Sequence, residues 1–249
     1  MGLILLTNDD GYDAVGLQTL YKTLINRKFE VFVSAPRFQQ SGSSHSLTLR
    51  RPIRVEKIRN NFFIVDGTPT DCVLLAYHDL VRNKEITMVV SGINHGPNMG
   101  SDVFYSGTVA AALQAGTLGI KKALALSLAG ETYQNFEHAA RYAVDLIERL
   151  MEKNINNVIL NVNIPEKEIK GERITRMGRR IYRDKVLRDV EENNVMYSVI
   201  NGVLDYQVDS DTDFEAIDNN YVSITPLKLD LTDYENMKRL KEIFGLQTS

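Results

Sequence analysis

Strand-length apolar segments alternate with helical segments along the first 165 residues of this chain. Most of the predicted strands are apolar on both faces, which is typical of a parallel sheet that helices cover on both sides. The strands are predicted at 3–7, 30–36, 86–92, 122–128 and 157–165, a hairpin at 53–67, and helices around 17–25, 106–116 and 136–153. We therefore predict an α/β fold with a mostly parallel sheet and helices on both of its faces.

The chain changes character after about Pro165, and we divide it into a core of 1–165 and an extension of 166–249. The first part of the extension is rich in charged residues. Asn201-Gly202 stands there between two strand-like segments, which predicts a hairpin turn because both residues tolerate positive φ. Beyond that hairpin we predict a returning strand at 221–227 and a terminal helix at 232–244.

The predicted hairpin needs a surface to cover its apolar side chains, since a lone two-stranded hairpin is marginally stable in water. That surface is either this chain's own core or a second subunit. The apolar residues concerned are Met196, Val199, Ile200, Val203, Leu204 and Tyr206.

Bulk properties exclude several classes of protein. A net charge of −3 gives no sign of a surface for nucleic-acid polymers or membranes, and no segment approaches the length of a membrane span. The single cysteine excludes an intrachain disulfide and a cysteine-rich metal site. The N-terminus lacks the pattern of a signal peptide, so we expect a cytoplasmic protein.

Three loops at the predicted carboxyl edge of the sheet are rich in small polar residues. Open parallel sheets bind ligands at that edge. The loops read "TNDDG" after the first strand, "APRFQQSGSSHSLT" after the second, and "SGINHGPNMGSDVFYSGT" after the strand at 86–92. The second and third loops are much longer than a simple connection requires, which favours a ligand site.

The oxygen atoms of these loops suit a hard divalent cation. Asp9 and Asp10 supply carboxylates, Ser41 a hydroxyl and Asn94 an amide oxygen, so we predict one Mg²⁺ or Mn²⁺ ion, with Ca²⁺ also compatible. Four protein oxygens leave about two positions of an octahedron for water and substrate. A metal with open positions can activate water and polarise a phosphoryl oxygen.

A helix predicted to begin at Ser106, Gly107 and Thr108 offers free N–H groups to an anion. A cation beside such a helix start suggests hydrolysis of a phosphate ester. Simpler alternatives stay open: the aspartates and Ser106 can merely cap local structure. His45 and His95 are weak candidates for proton transfer.

Five motifs in sequence order resemble the SurE family, the survival protein E nucleotidases. They are "LLTNDDG", "AP…QSG.S.SLT", "DGTPTDCV", "VVSGIN.G.N.G.DVFYSGTV.AA" and "YVSITPL". Thr70 and Asp71 in the third motif also have a structural explanation, as caps of a helix. Where members commonly have Arg-Asn before the Ser-Gly of the second motif, this chain has Phe38-Gln39.

The resemblance implies a Rossmann-like core and a metal-dependent 5′-nucleotidase that hydrolyses nucleoside monophosphates by metal-activated water. Activity on 3′-nucleotides and short polyphosphate is known among relatives. The family's metal ligands correspond to Asp9, Asp10, Ser41 and Asn94, of which we expect Asp9, Asp10 and Asn94 to be catalytic. Its phosphate contacts correspond to Asn98, Ser106, Gly107 and Thr108. Relatives assemble through such extensions, which favours a homodimer or homotetramer.

Two other functions are less compatible with these residues. A phosphatase with an aspartyl-phosphate intermediate typically carries Asp-x-Asp after the first strand, whereas here the two acids are adjacent. A nucleotide-sensing module without catalysis has little need of paired acids beside a phosphate, because they repel it unless a metal is bound.

Overall fold

Eleven strands, six α-helices, a π-helical turn at Ala76–Leu80 and a 3-10 helix at Gly100–Phe104 make up the regular structure that this computed structural model describes. It covers residues 2–82, 84–130, 132–153, 155–192, 195–207 and 209–246; Ser198 is the one residue of 180–207 described beyond its backbone. The strands are β1 Leu3–Thr7, β2 Val31–Pro36, β3 Val55–Arg59, β4 Phe62–Val65, β5 Ile86–His95, β6 Lys122–Ala129, β7 Val158–Pro165, β8 Gly171–Ile174, β9 Arg179–Glu192, β10 Val195–Gln207 and β11 Tyr221–Leu227. The α-helices are α1 Val15–Asn26, α2 Pro69–Leu75, α3 Gly107–Thr117, α4 Phe136–Glu152, α5 Asp213–Asp218 and α6 Tyr234–Ile243.

Nine strands form one sheet in the order β3-β4-β2-β1-β5-β6-β7-β11-β8. The run from β4 to β7 is parallel throughout. Three strands run in the opposite direction: β3 is antiparallel to β4, as the predicted hairpin requires, and β11 is antiparallel to β7 and parallel to β8. The prediction of a mostly parallel α/β sheet is confirmed.

Helices bury the two faces of this sheet in separate cores. In β1, Ile4 and Leu6 point into the core that holds α1 and α4. Leu3 and Leu5 point the other way, into the core that holds α2 and α3. Side chains alternate between the faces of a strand, so a strand covered on both sides must be apolar at every position. This is why the sequence of β1 shows no alternation.

The single cysteine belongs to the second of these layers. Cys72 lies in α2, fully buried, and its carbonyl oxygen accepts a hydrogen bond from Ser34 Oγ at 2.9 Å. Burial raises the pKa of its thiol well above the usual range. A thiol in that state is chemically inert.

Strands β9 and β10 form a two-stranded sheet of their own, here called the arm (residues 179–207). Val195 lies opposite Glu192, so the chain reverses before Val195. The prediction of a turn at Asn201-Gly202 was wrong: both residues lie inside β10, opposite Lys185 and Asp184. Pairing along a strand of 13 residues outweighs the local turn preference of two. The structure does not describe the apolar side chains of β10 for which we predicted a covering surface.

The extension also contributes to the main sheet, through β8 and β11. The main sheet therefore continues across residue 165. The division of the chain into a core and an extension at that residue stays a prediction. The terminal helix is present as α6, with no buried residue. Among the described helices, none has both the length and the apolar character needed to cross a membrane.

Candidate active site

Three loops meet at the carboxyl edge of the parallel strands and enclose a cavity of about 210 Å³. Asp9 and Asp10 follow β1, Ser41 lies in the loop after β2, and Asn94 lies near the end of β5. The cavity is lined by Asp9, Asp10, Gln39, Ser41, Gly42, Asn94, His95, Pro97, Asn98, Asp102, Tyr105 and Ser106. The structure thus brings together all four predicted metal ligands with Asn98 and Ser106, while Gly107 and Thr108 lie directly behind them.

Asp9 is the most buried acid of the cavity, with 3% of its surface exposed. Its Oδ1 accepts a hydrogen bond from Thr108 Oγ1. Burial raises its pKa to about 6, the charge of Asp10 adds to that rise, and hydrogen bonds from Thr108 oppose it. No lysine or arginine is among the described residues that line the cavity. The described lining of the cavity therefore supplies no lysine or arginine charge to compensate this carboxylate.

Asp10 is held by the residue that follows Asn94. The backbone N–H of His95 donates to Asp10 Oδ2 at 3.1 Å, and His95 Nδ1 lies 2.9 Å from the same oxygen. The imidazole packs against Phe136, with 4.5 Å between the ring centroids. The weak proton-transfer candidate His95 is thus placed where it orients Asp10; its part in catalysis stays a prediction.

An irregularity in β5 determines where Asn94 lies. The register with β6 shifts between Ser91 and Asn94. Gly92 has φ +134° within this stretch, and a Cβ there would lie 2.3 Å from the carbonyl oxygen of Leu126, so only glycine fits. Asn94 Nδ2 donates to the carbonyl of Gly96 at 2.8 Å, which leaves the amide oxygen for a ligand.

Ser41 is the exposed member of the set. Its Oγ accepts a hydrogen bond from Gln39 Nε2 at 3.1 Å. Gln39 stands in the dipeptide where this chain departs from the common family pattern, and it lines the cavity. The difference from the common family sequence therefore includes a residue that lines the cavity.

The start of α3 closes the cavity from behind. Ser106 is the N-cap, and its Oγ accepts from the N–H of Val109 at 3.1 Å, as the simpler explanation predicted. The same residue also lines the cavity. A Cβ on Gly107 would lie 2.9 Å from Cβ of Asp9, so glycine permits the helix end to approach the acid. The first turn of α3 therefore presents its free N–H groups beside Asp9.

Asn98 is anchored by polar side chains that were not among the predicted site residues. Its N–H donates to Asn163 Oδ1 at 2.8 Å, and its Nδ2 donates to Ser127 Oγ at 2.8 Å. Its carbonyl accepts from Asn161 Nδ2 at 2.7 Å and from Asn163 Nδ2 at 3.0 Å. A signal was present in the sequence: two asparagines, two positions apart, interrupt the otherwise apolar strand β7.

A second missed residue, Asp213, ties the third loop to the arm. Its carboxylate, fully buried, accepts from the N–H groups of Gly100 at 2.7 Å, Gly178 at 2.8 Å and Phe214 at 3.0 Å. Burial raises its pKa although these hydrogen bonds oppose the rise. Gly100 begins the 3-10 helix that leads to Ser106, and Gly178 precedes the arm. One carboxylate thus fixes both segments.

We expect the substitution Asp213→Asn to lower the free energy of unfolding by about 1–3 kcal/mol. The amide keeps one acceptor oxygen, and its NH₂ group would face an N–H donor. Urea unfolding of the two proteins measures the difference. Asp211→Asn is the matched control, because Asp211 is exposed and its φ of +61° suits asparagine. Equal losses in both variants would contradict the role given to Asp213.

Two further predicted residues lie elsewhere. His45 Nε2 lies 2.9 Å from Gln114 Oε1, and His45 does not line the acidic cavity.

Helix α2 is capped by Thr68 and Asp71, each accepting from the backbone N–H of the other. The prediction of a cap was right for Asp71 and wrong for Thr70, because the N-cap is Thr68, two residues earlier. Thr70 Oγ1 has no partner among the described residues.

The donor set fits a hard divalent cation. Two carboxylates, a hydroxyl and a free amide oxygen line one cavity, and burial and repulsion destabilise the negative charge of Asp9 in the protein alone. Within the described ranges, no group of three or more His, Cys, Asp or Glu side chains is placed to hold a metal. A metal here would therefore depend on Ser41 and Asn94 beside the acid pair, which favours Mg²⁺ or Mn²⁺ over zinc.

Fold and site together define a class: a Rossmann-like α/β protein with an acidic, oxygen-lined ligand site at the carboxyl ends of its strands. The sequence model of the family described as "Survival protein SurE" matches residues 4–184. This chain belongs to the SurE family.

Individual relatives are similar along nearly the whole chain. The 5′-nucleotidase SurE of Methylococcus capsulatus is 45% identical over 243 residues, which cover 95% of each chain. The 5′/3′-nucleotidase SurE of Proteus mirabilis is 45% identical over 245 residues, 96% of this chain and 94% of the relative. The crystal structure of the SurE protein from Aquifex aeolicus superposes with a TM-score of 0.86 at 39% identity, covering 97% of this chain and 99% of that one.

Proposed function

We propose that this chain is a metal-dependent 5′-nucleotidase, a phosphomonoesterase that converts nucleoside monophosphates into nucleoside and phosphate. The observation that carries the proposal is the meeting of the Asp9–Asp10 pair with the start of α3 in one cavity. Names of the relatives support the reaction class. The name of the Proteus relative also supports activity on 3′-nucleotides, to which we add short polyphosphate as a further substrate.

A Mg²⁺ or Mn²⁺ ion held by Asp9, Asp10, Ser41 and Asn94 would supply the positive charge that activates water and polarises the phosphoryl group. The chain's own groups do the rest. The hydrogen bond from Thr108 favours the ionised form of Asp9 and so opposes the effect of burial, and His95 orients Asp10.

Phosphate binding is assigned to the other side of the cavity. Asn98, Ser106 and the first N–H groups of α3, at Gly107 and Thr108, face the anion. Donors fixed in advance stabilise the negative charge that develops on the phosphoryl oxygens in the transition state. The anchoring of Asn98 by Ser127 and the β7 asparagines supports such preorganisation.

We also propose that the arm joins copies of this chain into a homodimer or homotetramer. Its separation from the main sheet supports this, because two strands alone bury little surface. A cytoplasmic location belongs to the same proposal, supported by a single cysteine that is buried and unpaired.

Removal of divalent metal should abolish hydrolysis of AMP, and addition of Mg²⁺ or Mn²⁺ should restore it. The expected loss is at least about 100-fold, since the acid pair without a cation repels the phosphate. Phosphate release is measured before chelation, after exhaustive chelation and after metal addition. Circular dichroism of the chelated sample controls for unfolding. Full activity in the folded, chelated protein would refute the metal requirement.

A further inference from the structure

A second cavity, of about 720 Å³, lies at the amino ends of the parallel strands and is here called the amino-edge cavity. The first residues of β5 and β6 line it, together with the segment that joins α3 to β6. Its volume lies within the range of small-molecule sites. The reaction is assigned to the carboxyl edge of the sheet, so the proposed function gives this cavity no role.

Lysines dominate the charge of the amino-edge cavity. Lys84, Lys121 and Lys122 line it, against the single carboxylate of Glu85. Lys84 forms an ion pair with Glu30, which lies outside the lining. Among the residues that the structure describes, neither Lys121 nor Lys122 forms an ion pair. Two positive charges of the cavity are therefore left without a carboxylate partner in that part of the chain.

Lys122 is the unusual member of this group, because only 7% of its surface is exposed. Its Nζ donates to Oδ1 of Asn156 at 2.9 Å, and both residues line the cavity. The amide is neutral and accepts one of the three N–H donors of the ammonium, so the described residues leave the charge unpaired. Lysine is rarely buried without a charged partner, because a desolvated ammonium is unstable alone. A bound anion would supply that partner.

The carboxyl end of α3 compensates this charge only in part. Leu118 is the C-cap of the helix and lines the cavity with Gly119. The partial negative charge of a helix end favours a nearby cation, but its effect is a fraction of the cost of burying an ammonium group. The helix therefore helps to place lysines at this edge and still leaves a site that attracts anions.

We propose that the amino-edge cavity is a second anion site, which binds a phosphate dianion through Lys121 and Lys122. Two ammonium groups match the charge of such a dianion, and lysine binds phosphate as a point charge. Inorganic phosphate and the phosphate group of a small ester share this chemistry. The cavity also has room for the organic part of an ester, for which Tyr77 and Leu118 offer apolar surface. The site is separate from the reaction and does not depend on the proposed function.

The test counts the anions bound per chain by equilibrium dialysis of the full-length protein with Mg²⁺ present. One probe is inorganic phosphate, and the other is the phosphonate analogue of ribose 5-phosphate, whose P–C bond resists hydrolysis. Lys122→Met keeps the length of the side chain and removes its charge. This variant should bind one anion fewer per chain at the same free concentration, because the affinity of the site falls at least about tenfold. Tighter binding of the phosphonate would identify an ester as the ligand, and equal binding the free ion; either supports the site.

Lys121→Met is the second variant, because Lys121 is exposed and its replacement spares the fold. It should weaken binding at this site about threefold. Lys22→Met is the matched control, since Lys22 is an exposed lysine of α1 that does not line the cavity. Equal numbers of bound anions in the unmodified protein and in Lys122→Met would overturn the proposal. An equal loss in Lys22→Met would assign the binding to the net charge of the surface and overturn it as well.

Discussion

Asp9→Asn should reduce AMP hydrolysis by on the order of 10³ and at the same time make the metal-free chain more stable. The loss of activity follows from removing one of two carboxylates that attract the cation, in a site where preorganised charge supplies much of the rate. The substitution changes no volume, and the amide oxygen can still accept from Thr108. Phosphate release from AMP with added Mg²⁺ measures the first effect.

The gain in stability follows from the pKa of Asp9. In the folded chain that pKa is about 6, against 3.8 for the ordinary side chain. The folded state therefore holds the proton more tightly, so stability falls as pH rises from about 4 to about 6. Above that window the charged form costs on the order of 3 kcal/mol, which the asparagine variant avoids. Urea unfolding in chelator at pH 4 and pH 7 should show this slope in the unmodified protein and less of it in the variant.

Asp13→Asn is the control for both measurements. Asp13 lies in the same loop, is exposed and does not line the cavity, so the change removes one charge and nothing else from the region. Activity and stability should stay close to those of the unmodified protein. Full activity in Asp9→Asn would refute the role of Asp9 in the site. An equal loss of activity in Asp13→Asn would refute it as well.

Shortening the arm should reduce the mass of the particle in solution by a factor of two or more. Ile181 and Asp205 face each other near the base of the arm. Deleting 182–204 and joining these residues through Asn-Gly closes the strands with a favourable two-residue turn. The cut leaves Gly178 and its hydrogen bond to Asp213 in place. The reason for the expected change is reciprocal packing of two arms, as a two-fold interface requires.

Light scattering gives the mass of both proteins, and circular dichroism shows whether the shortened chain is folded. An unmodified protein that is monomeric would refute the role of the arm. So would a folded deletion variant of unchanged mass.

The sequence predicts the core of this fold well because its signals are local and mutually consistent. β1 is apolar from Leu3 to Leu6, since helices lie on both of its faces, and Leu17, Leu20 and Leu24 recur at the spacing of one helix face. The arm shows where such signals fail. Asn201-Gly202 is a strong turn signal on its own, and only the partner strand β9, which is charged and carries no apolar pattern, reveals that it lies within a strand.

Some residues of the site can also be predicted from the sequence, and others cannot. Its oxygen donors are recognisable because they follow strands that end at one edge of the predicted sheet, and two of the three loops that carry them are too long for simple connections. The groups that hold them come from distant parts of the chain: Asn161 and Asn163 from β7, and Asp213 from the start of α5. Nothing in the local sequence states that these residues reach the third loop. Such contacts depend on the order of strands in the sheet, which single-sequence patterns leave open.

The burial of Cys72 makes this protein a convenient host for site-specific probes. A maleimide reagent requires an accessible thiolate, and the native thiol offers none. A cysteine introduced at Ser198, which is exposed on β10, would therefore be labelled without first replacing the native residue. Spin labels or fluorophores attached there would report the separation of two arms in an assembly, in a protein that differs from the natural one at a single position.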